Sequence, residues 1–165
     1  MTIEHPARLV AAAPADAPAH DAGLDLPYIV YGTLRPGGLN SHLVTTHGGR
    51  WGASLALPGY VMLDSPHGYP YLVPLDPARA SAVPVRADLV EPPADATAQA
   101  ALRAALDELE TYRGPGGDNE YERVAVRIDD AGVERCAWIY VVSAAVPTEG
   151  LPLIGHGDWM EWSRA

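Results

Sequence analysis

Apolar positions recur with a helical period in one segment, residues 97–112. There Ala98, Ala101, Leu102, Ala105, Leu106, Leu109 and Tyr112 follow the i, i+3, i+4 spacing that lines one face of a helix. Asp95 or Thr97 offers an N-terminal cap, and the run Arg113-Gly114-Pro115-Gly116-Gly117 stops the pattern. Further on the period changes to two. Over residues 121–130, Val124, Val126 and Ile128 alternate with Arg123, Ala125 and Arg127, one face in and one face out. Asp130-Ala131-Gly132 turns the chain, and residues 135–142 return as the second arm of a hairpin.

Shorter runs rich in strand formers cover residues 28–31, 51–57, 60–63, 69–73 and 82–90, with Pro58-Gly59 and His67-Gly68 among the breaks. Asn40 is placed to cap a short helix over residues 41–47, and residues 151–165 read as an irregular Gly, Pro and Trp segment. Short strands with frequent breaks suggest a curled sheet. The pattern predicts an α+β fold: a small, bent, mostly antiparallel, barrel-like sheet with one main helix. Residues 1–26, rich in Ala, Pro and Asp without sustained periodicity, read as a disordered N-terminal tail. Residues 27–165 form the one domain.

Composition narrows the function. The chain has 165 residues, 48% of them apolar, enough for a core without staples. Its formal net charge of -10 argues against nucleic acid and against an anionic membrane surface as partners. Cys136, the one cysteine, has no internal disulfide partner, and it lies in a strand-like run that reads as buried. No apolar stretch approaches the roughly 18 residues of a membrane helix, and the N-terminus lacks a secretory pattern. The expectation is a cytoplasmic protein, and the sequence leaves its oligomeric state open.

Two places carry candidate chemistry. The first is the strand end Tyr31-Gly32-Thr33-Leu34, followed by the turn Arg35-Pro36-Gly37-Gly38. Successive amides there can form a concave nest for an anion. The Gly-Lys-Ser/Thr ending of a phosphate loop is missing. The second is the acidic end of the predicted helix, with Asp107, Glu108 and Glu110 where the dipole disfavours negative charge. On a helical wheel Asp107 points to water, while Glu108 and Glu110 sit at opposite margins of the apolar stripe. A carboxylate at such a margin loses water and gains a raised pKa suited to proton transfer. The wheel alone does not choose between Glu108 and Glu110. The six histidines show no zinc spacing, and no Gly-x-Ser-x-Gly elbow supports serine hydrolysis.

The stretch from Tyr31 through Leu39-Asn40 resembles the opening motif of gamma-glutamylcyclotransferase-like proteins, in the branch with gamma-glutamylamine cyclotransferases and plant avirulence-induced proteins. Leu106-Asp107-Glu108-Leu109-Glu110, then Tyr121-Glu122-Arg123-Val124, resembles the family's second block, and Gly68-Tyr69-Pro70-Tyr71-Leu72-Val73-Pro74 fits the middle. The resemblance implies a barrel-like fold with one cavity, Glu110 as the catalytic acid–base residue, and Tyr31, Gly32, Thr33 and Leu34 as the substrate-binding loop. It implies a small-molecule gamma-glutamyl substrate, 5-oxoproline plus a released amine as products, and no metal or organic cofactor. Three departures bear on the substrate: Ala87 and Thr111 stand where the family commonly has Gly, and residues 114–119 form an insert beside the site. The alternatives are a non-catalytic small-molecule-binding protein that keeps the cavity, and an interaction module in which the acidic helix is only a solvated face.

Overall fold

The computed structural model describes residues 7–75 and 83–164. Its elements run β1 (Ala7–Ala11), β2 (Tyr28–Val30), α1 (Ser41–Thr46), β3 (Arg50–Leu57), β4 (Tyr60–Asp64), β5 (Pro70–Pro74), β6 (Val85–Glu91), α2 (Ala96–Leu109), β7 (Tyr121–Asp130), β8 (Val133–Val142) and α3 (Trp159–Trp162). Six strands close a barrel in the order β1-β3-β6-β2-β8-β7, and β4 pairs with β5 in a separate hairpin. The β1–β3 and β2–β8 pairs are parallel and the remaining pairs of the barrel antiparallel. The expected α+β barrel is therefore the observed one.

Alternation explains how the barrel and helix share these strands. In β2, Ile29 points into the barrel while Tyr28 and Val30 point out; in β8, Ala137 and Ile139 point in while Trp138 and Tyr140 point out. The inner set joins Leu55, Leu57, Leu89, Val126 and Ile128 in one core. The outer set receives Leu102 and Leu106 of α2, both fully buried, in a second. Each such leucine contributes about 1.5–3 kcal/mol by leaving water.

The structure overturns the N-terminal tail over its described part; residues 1–6 lie outside the described residues. Ala7–Ala11 is a barrel strand, in register with Leu55 and Ala56 of β3 on one side and with Ile128 and Asp129 of β7 on the other. The reason is that β3 and β7 would otherwise present open edges, which a five-residue strand closes. Farther along, Arg103 of α2 donates to the carbonyls of Ala22 (2.6 Å) and Gly23 (3.1 Å), and the Trp138 indole donates to Gly23 O at 2.9 Å. These bonds fasten residues 20–23 to the helix and barrel.

Two boundaries also move. Asp95 caps α2 by accepting from the Ala98 amide at 2.8 Å, but the helix ends at Leu109 rather than Tyr112. Thr111 adopts a left-handed φ of 51°, which ends the helix before the Gly-rich run is reached. Asn40 precedes α1 without capping it; its amide donates instead to Thr33 Oγ1 at 3.0 Å. The strand expected from Ala82 starts at Val85, and Ala82 itself lies outside the described residues.

Candidate active site

One cavity opens where the end of β2, the start of β5, the end of α2 and the β7–β8 ribbon meet. Its lining includes Tyr31, Gly32, Thr33, Leu34, Asn40, Tyr69, Pro70, Glu110, Tyr121 and Tyr140. All five residues singled out from the sequence therefore face one space. Glu108 is not among them and is exposed. Tyr31, Gly32, Leu34, Pro70, Tyr121 and Tyr140 are buried and form the floor; Thr33, Asn40, Tyr69, Leu109 and Glu110 are partly exposed and outline the mouth.

The loop after β2 is held from several directions. Arg35 donates through Nε to Asp88 at 2.8 Å and through Nη1 to Asp158 at 3.0 Å, and Ser54 donates to the other Asp88 oxygen at 3.1 Å. Burial works against the charge of Asp158, but the Glu161 amide, Arg35 and the Met160 amide together hold its pKa below the ordinary range. The Trp51 indole donates to Leu34 O at 3.0 Å, and the Asn40 amide to Thr33 O at 2.9 Å. A β-carbon on Gly38 would lie 2.3 Å from Thr33 O, so the loop closes on itself only with glycine there. A β-carbon on Gly32 would meet the Pro70 ring at 2.8 and 2.9 Å. Packing against that proline thus requires glycine at 32, whatever the cavity holds. Among the described residues the amides of Thr33 and Leu34 are not used by these loop bonds.

Glu110 is built differently. It follows α2 as its C-cap residue, its own amide bonded to Leu106 O at 3.0 Å. Its carboxyl group makes no hydrogen bond to any described residue. Burial first, then the nearby charges of Glu120 and Asp107, push its pKa up to about 8 from an ordinary 4.5. The tyrosines around it are already committed. Tyr31 donates its hydroxyl to Tyr140 O at 2.5 Å, Tyr121 to Pro70 O at 2.7 Å and Tyr140 to Asp107 Oδ1 at 2.6 Å, and Tyr69 donates to Glu120. Burial raises the pKa of each of these phenols, so all stay protonated near neutral pH. Glu110 is the one titratable lining group without a protein partner among the described residues.

This architecture matches known proteins. The family model for gamma-glutamyl cyclotransferase, AIG2-like, fits residues 28–161. The chain belongs to that family. Among solved structures, c4763, a uropathogenic E. coli-specific protein, superposes with a TM-score of 0.59 at 16% identity over 84% of this chain and 95% of that one. YkqA from Bacillus subtilis gives 0.50 at 20% identity, covering 82% and 40%. An allophanate hydrolase from Kluyveromyces lactis gives 0.55 at 10% identity, covering 90% and 22%. These likenesses show a shared fold. No curated protein sequence matched.

Within this member of the family, three groups had escaped the sequence reading. Asp107 does not face water: it accepts from Arg123 Nε at 2.9 Å and from the Tyr140 hydroxyl. Arg123 is buried, with its guanidinium over the rings of Tyr112 (5.1 Å) and Trp138 (4.6 Å). Arg35, read as part of a turn, ties the loop to residues 53 and 123 positions away. Glu120, the residue after the insert, accepts the hydroxyl of Tyr69 at the cavity mouth. The Tyr-x-Arg spacing was the one signal for the Asp107 pair; the other two had none, because their partners are distant in sequence.

Proposed function

We propose that the cavity converts a gamma-glutamyl amine, peptide or amide into 5-oxoproline and a released amine, with Glu110 as general acid and base. The amides of Thr33 and Leu34, unused by the loop's bonds among the described residues, receive the substrate α-carboxylate, since no arginine among the described residues lines the cavity and the chain contains no lysine. The α-ammonium then meets the Glu110 carboxylate. The approaching ammonium favours the ionised form of Glu110, which then takes its proton. The neutral amine attacks the γ-carbonyl carbon of the same molecule, closing a five-membered ring. As the ring closes the attacking nitrogen also gives up its second proton, leaving the lactam N–H; Glu110 hands the protons to the leaving nitrogen as the C–N bond breaks, and the amine departs as its ammonium ion. Nucleophile and electrophile belong to one substrate, so the protein's task is folding it and moving protons from the attacking to the leaving nitrogen.

The observation that carries this reading is the unpartnered Glu110 carboxyl, in a cavity whose tyrosines are all committed elsewhere. The test is mass-spectrometric detection of 5-oxoproline from a panel of gamma-glutamyl amines and dipeptides. Release of 5-oxoproline is the expected result. Saturable binding of the panel without any 5-oxoproline would overturn catalysis and leave a binding protein.

A further inference from the structure

The Glu110 carboxyl group has no hydrogen-bonding partner among the described residues, so the chain on either side must set where it lies. Before it stands α2. After it stands Thr111 at a φ of 51°, a left-handed conformation that a β-branched side chain disfavours. Such an angle persists only where neighbouring bonds over-determine it. Two of these bonds are local: the Thr111 amide donates to Glu108 O at 3.2 Å and the Tyr112 amide to Asp107 O at 2.9 Å.

The others come from the insert and the residue after it. Asn119 is buried, although residues 115–118 beside it are all exposed. Its Oδ1 accepts from the Arg113 amide at 2.7 Å, and its Nδ2 donates to Gly114 O at 2.8 Å and to the Glu122 carboxylate at 3.2 and 3.3 Å. One residue on, the Glu120 amide donates to Thr111 O at 3.1 Å, and Glu120 O accepts from the Ser143 amide at 2.8 Å. A buried side-chain amide with both polar atoms satisfied, inside an exposed loop, is a clasp. It ties the chain leaving Glu110 to the start of β7. Thr111 and the insert, two separate departures in the sequence, are thus joined in space.

We infer that Asn119 is a positioning residue for Glu110: its bonds to Arg113, Gly114 and Glu122 hold the left-handed Thr111, and through it keep the Glu110 carboxyl group facing the cavity. This rests on the cyclotransferase reading above and adds a residue that acts through another without lining the cavity itself. Glu110 faces Asp107 from its own helix, Glu120 from the chain before β7, and the phenols of Tyr31, Tyr69, Tyr121 and Tyr140 from the strands around it. An Asn119 variant keeps all of these, and Glu120 keeps its bond to Ser143. A change in the titration of Glu110 in that variant therefore reports where its carboxyl group lies.

The experiment is a double-mutant cycle between Asn119→Ala and Thr111→Gly, read by the kinetics of 5-oxoproline release and by the carboxyl ¹³C midpoint of Glu110. In the wild-type background Asn119→Ala should lower kcat about tenfold and leave KM within about twofold, because the substrate loop is untouched. The Glu110 midpoint should fall from about 8 as the carboxyl group turns to water. In the Thr111→Gly background the same change should alter kcat by less than about twofold and leave the midpoint in place, since glycine takes the left-handed angle without strain. Equal effects of Asn119→Ala on kcat in both backgrounds, or an unmoved midpoint in the wild-type background, would overturn the clasp and leave Asn119 a merely structural residue. If Asn119→Ala does not fold alone, the two Thr111→Gly proteins decide: agreement within about twofold supports the clasp, and a larger loss overturns it. If the wild type releases no 5-oxoproline, the cyclotransferase reading fails and the midpoints alone decide. A midpoint lowered by Asn119→Ala only where Thr111 is present supports the clasp; the same midpoint with and without Asn119 overturns it.

Discussion

The loop after β2 and the end of α2 meet at one cavity, but they are built in opposite ways. In the loop, Arg35 has two carboxylates, Asn40 has Thr33, and the Leu34 carbonyl has the Trp51 indole. At the helix end, Glu110 has burial and like charge around its carboxyl group and no hydrogen-bonding partner, and the residue after it holds a strained backbone angle. The first arrangement lowers the energy of the empty protein; the second raises it. A region that keeps such an uncompensated acid beside a braced loop is suited to a ligand that supplies the missing charge.

The comparison predicts that mutations on the two sides fail in different ways. The largest effect belongs to Glu110. Glu110→Gln should lower kcat for 5-oxoproline formation by at least about 10²-fold, some 2.7 kcal/mol in transition-state terms, with no loss of folding. Glu108→Gln, on the exposed face, should stay within about twofold of wild type. Steady-state kinetics on both variants checks this, and equal losses would erase the distinction between them.

Next comes Arg35→Ala. It removes the cation shared by Asp88 and Asp158, whose side chains are 11% and 19% exposed and keep Ser54 and two backbone amides as donors, and should cost about 2 kcal/mol in urea unfolding. A loss under about 0.5 kcal/mol would mean the loop is braced without Arg35. The smallest effect is at Thr111, where Thr holds a φ of 51°. Thr111→Gly should stabilise by about 1 kcal/mol, raising Tm by roughly 2–4 °C, because glycine reaches this region without a clashing β-carbon. An unchanged or lower Tm would show that other contacts of Thr111 outweigh the strain.

The parts of the molecule that were legible in the sequence are those governed by local periodicity. The stripe from Ala98 to Leu109 does bury Leu102 and Leu106, and the alternation around Val126 and Ile128 does face the barrel. Tyr31, Gly32, Thr33, Leu34 and Glu110, in short motifs at the ends of those elements, line one cavity. What stayed hidden depends on distant partners. Ala7–Ala11 is too short and too rich in alanine to announce a strand, and its pairing to Leu55 and Ile128 exists only once the barrel closes. The wheel sent Asp107 to water because it sees one helix, whereas Arg123 and Tyr140 come from β7 and β8. The helix end was placed late because a left-handed threonine looks like any other helical residue in sequence.

The claim on which the rest depends is that Glu110 is held uncompensated in the free protein. A carboxyl ¹³C NMR titration of glutamate-labelled protein, assigned by difference from Glu110→Gln, measures this directly. The predicted midpoint is about 8. Stability should follow with a definite sign. Because the folded pKa is raised, the contribution of Glu110 is fully present below about 4.5 and is lost as pH rises through about 8. The Tm advantage of Glu110→Gln over wild type should therefore grow across that interval and then level off. A midpoint near 4.5, with a Tm difference that does not change with pH, would contradict the account.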